Sequence, residues 1–300
     1  MNKVTVIGLG AMGTALANTL HDKGVQVTVW NRSAEKAVPL IAKGMRCAPN
    51  VAAAIEDSSL IIISVLDYLA VTAILHNAEE SLRGKTLVNL TNGTPSQARE
   101  MAYWILQRGA EYLDGGVMVT PELVGGENAF VFYSGSASAY QQHQSILTLL
   151  GGPVYVGENI ALAAIYDLAL LSSMFGMFGG YIHAAALLRS EKIPVAEVTP
   201  MIMSLLNAMI ELFPQTAQEI DSGVYPQPNS NNTMMTAGLH NILVASEEQS
   251  VRDDLIKPIW ELFNQASRNG LGDKDISALP QLLTTKTRAK NIDAKKSCEQ

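Results

Sequence analysis

The sequence predicts an α/β fold: a parallel sheet wound by helices, then one long connecting helix, then an all-α C-terminal part. Three observations predict it. β-Branched runs of strand length alternate with helical patterns through the first half of the chain, as a parallel sheet requires. Residues 159–188, NIALAAIYDLALLSSMFGMFGGYIHAAALL, are almost wholly apolar and carry one formal charge, Asp167. Beyond Leu188 the apolar spacing is helical and rich in methionine.

The first strand is read at Lys3–Ile7, KVTVI, a β-branched run suited to burial in a parallel sheet. It enters Gly8-Leu9-Gly10-Ala11-Met12-Gly13 at once. A helix over 14–23 follows, with Ala15, Leu16, Ala17 and Leu20 on its apolar face and Gly24 ending it. The second strand is 25–30, VQVTVW. Strand, glycine turn, helix and strand within about 30 residues is the full context of the dinucleotide fingerprint, so the N-terminal fold is expected to be a Rossmann domain. Gly8 permits the tight turn, Gly10 lets the backbone approach a pyrophosphate, and Gly13 lets helix and strand pack closely. Leu9, Ala11 and Met12 complete the loop, and free N–H groups at the helix start hold the phosphates.

The end of the second strand selects the nucleotide. An Asp or Glu there would hold the ribose 2′-hydroxyl of NAD and repel a 2′-phosphate. This chain has Asn31, Arg32 and Ser33, then Lys36 one turn later. Arg32 can stack on adenine and pair with the phosphate, Ser33 can donate a hydrogen bond, and Lys36 adds charge. NADPH is the expected cofactor.

Strands at 59–66, SLIIISVL, and 86–90, TLVNL, continue the sheet. Thr91-Asn92-Gly93-Thr94-Pro95 then turns at a strand's carboxyl end, where open α/β sheets bind ligands. Ser64, Leu66 and Asn92 are candidates for the nicotinamide end, with Val65 and Thr94 beside them; Asn92 before glycine is equally an ordinary turn residue. A strand at 111–114, a loop over 114–121 and strands at 129–133 and 154–156 complete the sheet, with a domain boundary near Gly157.

At ~1.5 Å per residue, a helix over 159–188 spans roughly 45 Å. Lacking a polar face, it must be buried all round. A bilayer, the core of a large domain, or a bridge wrapped by another domain or a second subunit would each bury it. The bilayer is disfavoured because Asp167 would cost roughly 3 kcal/mol or more in hydrocarbon, because Gly176, Gly179 and Gly180 loosen the helix, and because a nucleotide-binding domain precedes it; the bridge is preferred. Further helices are read at 195–221, 234–246, 251–269 and 275–284, and the polar tail from Lys286 is expected to fray. The expected organisation is residues 1–157 as the NADPH-binding domain, 158–190 as the interdomain helix, 191–290 as a helical dimerisation and substrate domain, and 291–300 as a flexible tail.

Composition narrows the function classes. The 300 residues are 48% hydrophobic and 16% charged, which fits a large core plus a large subunit interface. A net charge of −7 predicts no general attraction to nucleic acid or anionic membrane. Two cysteines, Cys47 and Cys298, with no Cys/His cluster, indicate neither zinc nor a disulfide framework, so no metal is expected. No secretory leader is read ahead of the first strand, so a reduced, cytoplasmic compartment is expected.

Together, the glycine fingerprint, Asn31-Arg32-Ser33-x-x-Lys36, Asn89-Leu90-Thr91-Asn92-Gly93-Thr94-Pro95, Met118-Val119-Thr120-Pro121 and Tyr166-Asp167-Leu168-Ala169-Leu170-Leu171 resemble the imine reductases and reductive aminases over nearly the whole chain. The nucleotide motifs are shared with many reductases; the aspartate on the interdomain helix is more specific. The resemblance implies NADPH-dependent reduction of C=N bonds, reductive amination of ketones, small-molecule imine, amine or ketone substrates, and a homodimer. It makes Asp167 the catalytic residue, either donating a proton to the nascent amine or anchoring an iminium cation as a carboxylate; the sequence leaves both open. Many members carry tyrosine eight positions after the aspartate, where this chain has Phe175, which packs but cannot donate. Asn92, Met174, Phe175, Met234, Met235 and His240 are the candidate substrate-binding residues. The chain also resembles β-hydroxyacid dehydrogenases, whose helical lysine and asparagine correspond to Ala163 and Asp167 here, with no lysine between Lys85 and Lys192. A non-catalytic NADPH-binding sensor is the reading outside enzymes.

Overall fold

The computed structural model describes residues 3–225, 228 and 230–284; the expected 291–300 tail and Cys298 lie outside them. β1 (Lys3–Ile7), α1 (Ala11–Asp22), β2 (Gln26–Trp30), α2 (Val38–Ala42), β3 (Arg46–Cys47), α3 (Val51–Glu56), β4 (Leu60–Ile63), α4 (Tyr68–His76), β5 (Thr86–Asn89), α5 (Pro95–Leu106), β6 (Glu111–Val117), β7 (Phe130–Gly135), α6 (Ala137–Leu147) and β8 (Gly152–Gly157) precede the long helix α7 (Leu162–Ser190). The sheet order is β3-β2-β1-β4-β5-β6-β7-β8, parallel except between β6 and β7. The order reverses between β1 and β4, which makes a crevice at their carboxyl ends.

Both faces of the sheet are covered. Leu60 and Ile62 enter one apolar cluster with Val4, Val6 and Leu16, while Ile61 and Ile63 enter the other with Ile7, Val71 and Leu75. That two-residue alternation is the strand period, and burial on both sides explains the unbroken LIII run. Side chains start several helices: Asn50 accepts from Ala53 N–H, Asp67 from Ala70 N–H, and Ser136 from Ala139 N–H.

The chain divides into two compact units between Ser173 and Met174, inside α7. The second unit contains the remainder of α7 and α8 (Val195–Ile210), α9 (Phe213–Ser222), α10 (Asn232–Glu248), α11 (Lys257–Arg268) and α12 (Pro280–Leu283). Within it, His183 meets Ser246 Oγ at 3.2 Å. Asn232 Nδ2 donates to the carbonyls of Leu271 and Asp275, tying the start of α10 to the chain beyond α11.

Several expected elements differ. α1 starts at Ala11 rather than residue 14, directly on the glycine turn. The strand expected over 59–66 stops at Ile63, since Asp67 already caps α4, and Leu66 is 89% exposed. The loop expected from 114 is strand through Val117, with Gly115 packed so tightly that a Cβ would meet Leu90 and the Phe132 carbonyl at 2.7 Å. The single helix expected over 195–221 breaks before Phe213, because Pro214 has no N–H to continue α8. The stretch over 251–269 becomes helical only from Lys257, and that over 275–284 is a 3₁₀ turn plus the short α12. The long apolar helix is not buried all round by its own chain: Phe175 is 63% and Ile182 60% exposed. By length and composition, Leu162–Ser190 and Val195–Ser222 are each apolar enough to cross a membrane, with mean hydropathy 1.5 and 1.4.

Candidate active site

The glycine loop separates packing from binding. Gly8 has φ +94°, and a Cβ there would lie 2.1 Å from the Ser64 carbonyl oxygen. A Cβ on Gly13 would lie 1.9 Å from the Gly8 carbonyl oxygen, so α1 meets β1 only through glycine. A Cβ on Gly10 would meet nothing within 4 Å. The fold therefore needs Gly8 and Gly13, whereas the space at Gly10 is open for an external group. Ala11, Met12 and Gly13 form the first turn of α1, whose N–H groups lack intrahelical acceptors and face an anion well.

Asn31 fixes this loop to the end of β2. Its Oδ1 accepts from Leu9 N–H at 2.9 Å and its Nδ2 donates to the Ser33 carbonyl at 3.0 Å. Asn31 thus shapes the loop. Arg32 and Lys36 are exposed and Ser33 half-exposed. Among the described residues neither cation makes a salt bridge. Two unpaired cations beside an open glycine are a donor set that fits a 2′-phosphorylated dinucleotide.

At the neighbouring strand ends, Ser64 is buried, Val65 N–H donates to Thr91 Oγ1 at 3.2 Å, and Leu66 stands free. Thr94 is committed to a capping box: its hydroxyl accepts from Gln97 N–H, and Gln97 Oε1 accepts from its N–H at 2.8 Å. Its side chain starts α5, and Gly93 ahead of it packs against the Tyr68 ring.

Asn92 Nδ2 donates to Asp167 Oδ2 at 2.6 Å. Asp167 is 7% exposed and makes no salt bridge among the described residues. Burial raises its pKa from the ordinary carboxylate value, and the Asn92 hydrogen bond opposes that rise. Strand β7 sets its position: Ser134 Oγ accepts from Ala163 N–H and donates to the Ile160 carbonyl, capping the first turn of α7. Phe132 and Tyr166 meet edge to face at 5.3 Å. Under Asp167 lies Gly116, where a Cβ would come within 3.0 Å of Asp167 Cβ. Ala163, the position for a lysine base in the dehydrogenase resemblance, is a fully buried alanine.

Sequence reasoning missed a second polar group behind this pair. Asp114, 2% exposed, accepts from the Tyr68 hydroxyl at 2.5 Å and the Tyr112 hydroxyl at 3.3 Å. Asn89 Nδ2 donates to Tyr112. Desolvation lifts the Asp114 pKa to about 7, with the Asp167 charge adding to the rise. The available signal was the alternation Tyr112, Asp114, Gly116 on one strand face, hidden because Asp-Gly-Gly reads as a turn.

Asn92 and Asp167 are thus brought together in the first unit, which also carries the fingerprint. Met174, Phe175, Met234, Met235 and His240 belong to the second. There Phe175, Met234 and Met235 are 63%, 57% and 40% exposed, and His240 lies 6.1 Å from Trp260, ring to ring. Among the described residues no cluster of metal-ligating side chains occurs.

Comparisons with known proteins identify the relatives of this chain. Residues 3–158 match the NAD binding domain of 6-phosphogluconate dehydrogenase, and residues 159–285 the C-terminal domain of NADPH-dependent reductive aminase-like proteins. The chain is 40% identical to the NADPH-dependent reductive aminase of Aspergillus oryzae, over 97% of this chain and 99% of that one. It superposes on the Aspergillus terreus reductive aminase solved with NADPH and ethyl levulinate with a TM-score of 0.91 at 43% identity, covering 95% of this chain and 100% of that one. An imine reductase from Myxococcus stipitatus with NADP⁺ gives 0.90 at 32% identity, over 94% and 100%. With 40% identity to a reductive aminase over 97% of its length and a matching reductive aminase-like C-terminal domain, the chain belongs to the family of NADPH-dependent reductive aminases and imine reductases.

Proposed function

We propose that the protein reduces the C=N bond of imines and iminium ions to amines with NADPH, and that it joins ketones to amines by reductive amination. The observation that carries the residue assignment is the Asn92–Asp167 hydrogen bond beyond the carboxyl end of β5, in the sheet whose β1 leads into the glycine loop. Bound NADPH supplies the hydride; the chain's own residues bind, orient and balance charge. Arg32, Ser33 and Lys36 hold the 2′-phosphate, and the first turn of α1 holds the pyrophosphate. Asp167 holds the iminium nitrogen as a carboxylate: an amide N–H donating to Oδ2 favours the ionised form, and a substrate cation favours it further. The hydride brings both electrons of the new C–H bond, the C=N π pair becomes the nitrogen lone pair, and a neutral amine leaves. Ala163 leaves no base for alcohol oxidation by the lysine route.

Asp167→Asn should lower turnover of 1-pyrroline or a dihydroisoquinoline by ~10²-fold or more, the scale of a lost catalytic electrostatic group, with NADPH affinity retained. Unchanged turnover would remove Asp167 from the chemistry.

The protein is proposed to be a homodimer. α8 has no buried residue in a single chain, and Met201, Leu205 and Phe213 are 69%, 62% and 57% exposed. Apolar surface on this scale needs a cover. A second copy supplies it, over well above ~2,000 Å² as in obligate dimers. Residues 1–157 are the proposed cofactor domain, 158–190 the bridging helix, and 191–290 the dimerisation and substrate domain. Met174, Phe175, Met234, Met235 and His240 are its proposed substrate-binding groups, supported by their polarisable or aromatic side chains. Cytoplasmic residence is proposed on the sparse cysteines, Cys47 being unpaired.

A further inference from the structure

Behind Asp167 lies a second carboxyl that the proposed chemistry does not use. Asp114 and Gly116 are two apart on β6 and so share a face, roughly 6.6 Å apart along the strand. Asp167 rests directly over Gly116. The two acids are therefore neighbours in a low-dielectric pocket. The ionisable groups facing Asp114 are Tyr68 from α4, Tyr112 from its own strand and Asp167 from α7. β5 and β7 present the neutral Asn89 and Ser134 in register with it. Among the described residues no salt bridge reaches either carboxyl. Two uncompensated negative charges so close repel, so the pair favours a single charge.

We propose that Asp114 is a positioning residue for Asp167: the two carboxyls act as a coupled pair in which Asp114 keeps the proton and Asp167 carries the single negative charge that matches one iminium cation. The inference rests on the role proposed above for Asp167. Its geometry is specific. Both tyrosine hydroxyls converge on Asp114 Oδ1 and favour its ionised form, but desolvation outweighs them, and Oδ2, which accepts no hydrogen bond among the described residues, is left to carry the proton. Asp167 Oδ2 accepts from Asn92, as a carboxylate does. Tyr68 couples the two ends, since its ring lies against Gly93, where a Cβ would come within 2.3 Å. The hydrogen bond from Tyr68 to Asp114 thereby also seats the turn that carries Asn92. Desolvation keeps Asp114 protonated up to about neutral pH. At higher pH the second charge arrives and repels the Asp167 carboxylate from its seat on Asn92, so the cation is held out of line for the hydride and turnover falls.

The test uses an N-alkyl dihydroisoquinolinium, whose nitrogen cannot titrate, with the intact enzyme and NADPH. Wild-type kcat should fall as pH rises through neutrality. Asp114→Asn, isosteric and never charged, should lose that fall while keeping kcat within about tenfold of wild type on the acidic side. Infrared titration supplies a readout independent of turnover: the C=O stretch of a buried protonated carboxyl should vanish through neutrality in wild type, at lower pH in Asp167→Asn, and be absent in Asp114→Asn. An unaltered kcat profile or an unaltered infrared band in Asp114→Asn overturns the proposal, as does a folded, NADPH-binding Asp114→Asn that is inactive at every pH. If Asp167→Asn retains full turnover while the Asp114 band still titrates, the role of Asp167 fails and the acid pair stands without it.

Discussion

Alanine at Gly10 and alanine at Gly13 are the same chemical change three residues apart, and they should fail in opposite ways. At Gly13 the new methyl would sit 1.9 Å from the Gly8 carbonyl oxygen, where contact needs more than an ångström of extra room. Both neighbours are backbone, so α1 must lift from β1 and disturb Leu16 and Leu20, both fully buried. Overpacking of this kind costs about 1–3 kcal/mol or more. At ~2–4 °C per kcal/mol for a unit of this size, the melting temperature should drop by several degrees at least. At Gly10 the φ of −71° suits alanine and no atom lies within 4 Å, so stability should change by less than ~0.5 kcal/mol. The methyl would instead occupy the space left for the pyrophosphate, and NADPH affinity should fall by about tenfold or more, which is ~1.4 kcal/mol. Thermal melts of the unliganded variants and NADPH titration by fluorescence separate the two effects. If Gly10→Ala binds NADPH as tightly as wild type, the loop does not cradle the phosphates. If Gly13→Ala melts with wild type, the packing geometry is wrong.

Arg32→Ala should raise the KM for NADPH far more than that for NADH, since only the former carries the 2′-phosphate; steady-state kinetics with both cofactors check it, and equal effects would dismiss the assignment. Asp114 has a folded pKa of about 7 against an ordinary 3.8, so ionising it in the fold costs on the order of 4 kcal/mol. The sign follows: stability tied to this group is complete below the unfolded value and is lost as pH rises through the folded one. Denaturant titrations should therefore show wild type weakening between about pH 4 and 7 relative to Asp114→Asn, and parallel curves would refute the shift. Phe175→Tyr should change the enantiomer ratio of a chiral amine product by chiral chromatography; an unchanged ratio would take Phe175 out of the pocket. Light scattering at micromolar concentration should give a dimer mass, and Leu205→Asp on the bare face of α8 should shift it towards monomer; a monomeric wild type would contradict the proposed assembly.

The cofactor half of the proposed site was legible because the features it rests on are local. Gly8, Gly10, Gly13, Arg32 and Lys36 act within one strand–turn–helix–strand unit, so spacing alone carries their meaning. Asp167 was legible for a different reason, as a lone charge in a stretch with no other. Asp114, Tyr68 and Tyr112 were not, because their meaning is tertiary: α4 and β6 supply them, and only sheet register joins them. Turn chemistry misled in the same region, where Asp-Gly-Gly continues as strand because the glycines admit close neighbours rather than a bend. Asn31 and Thr94 were read as ligand contacts, and their side chains also hold the loop and the helix cap, a structural task that motif spacing does not reveal. The burial of α7 was expected from its composition, which cannot say whether the covering surface belongs to the same chain.

Gly116 has a consequence for anyone wishing to tune this enzyme. The acid on α7 stands on bare strand backbone, so its height above the floor of the crevice is gauged by the sheet, the stiffest body in the unit. One methyl at position 116, sitting 3.0 Å from Asp167 Cβ and 3.3 Å from Oδ1, would act as a shim of a few tenths of an ångström. The carboxyl would keep its identity and its charge while its height above the strand was reset from beneath.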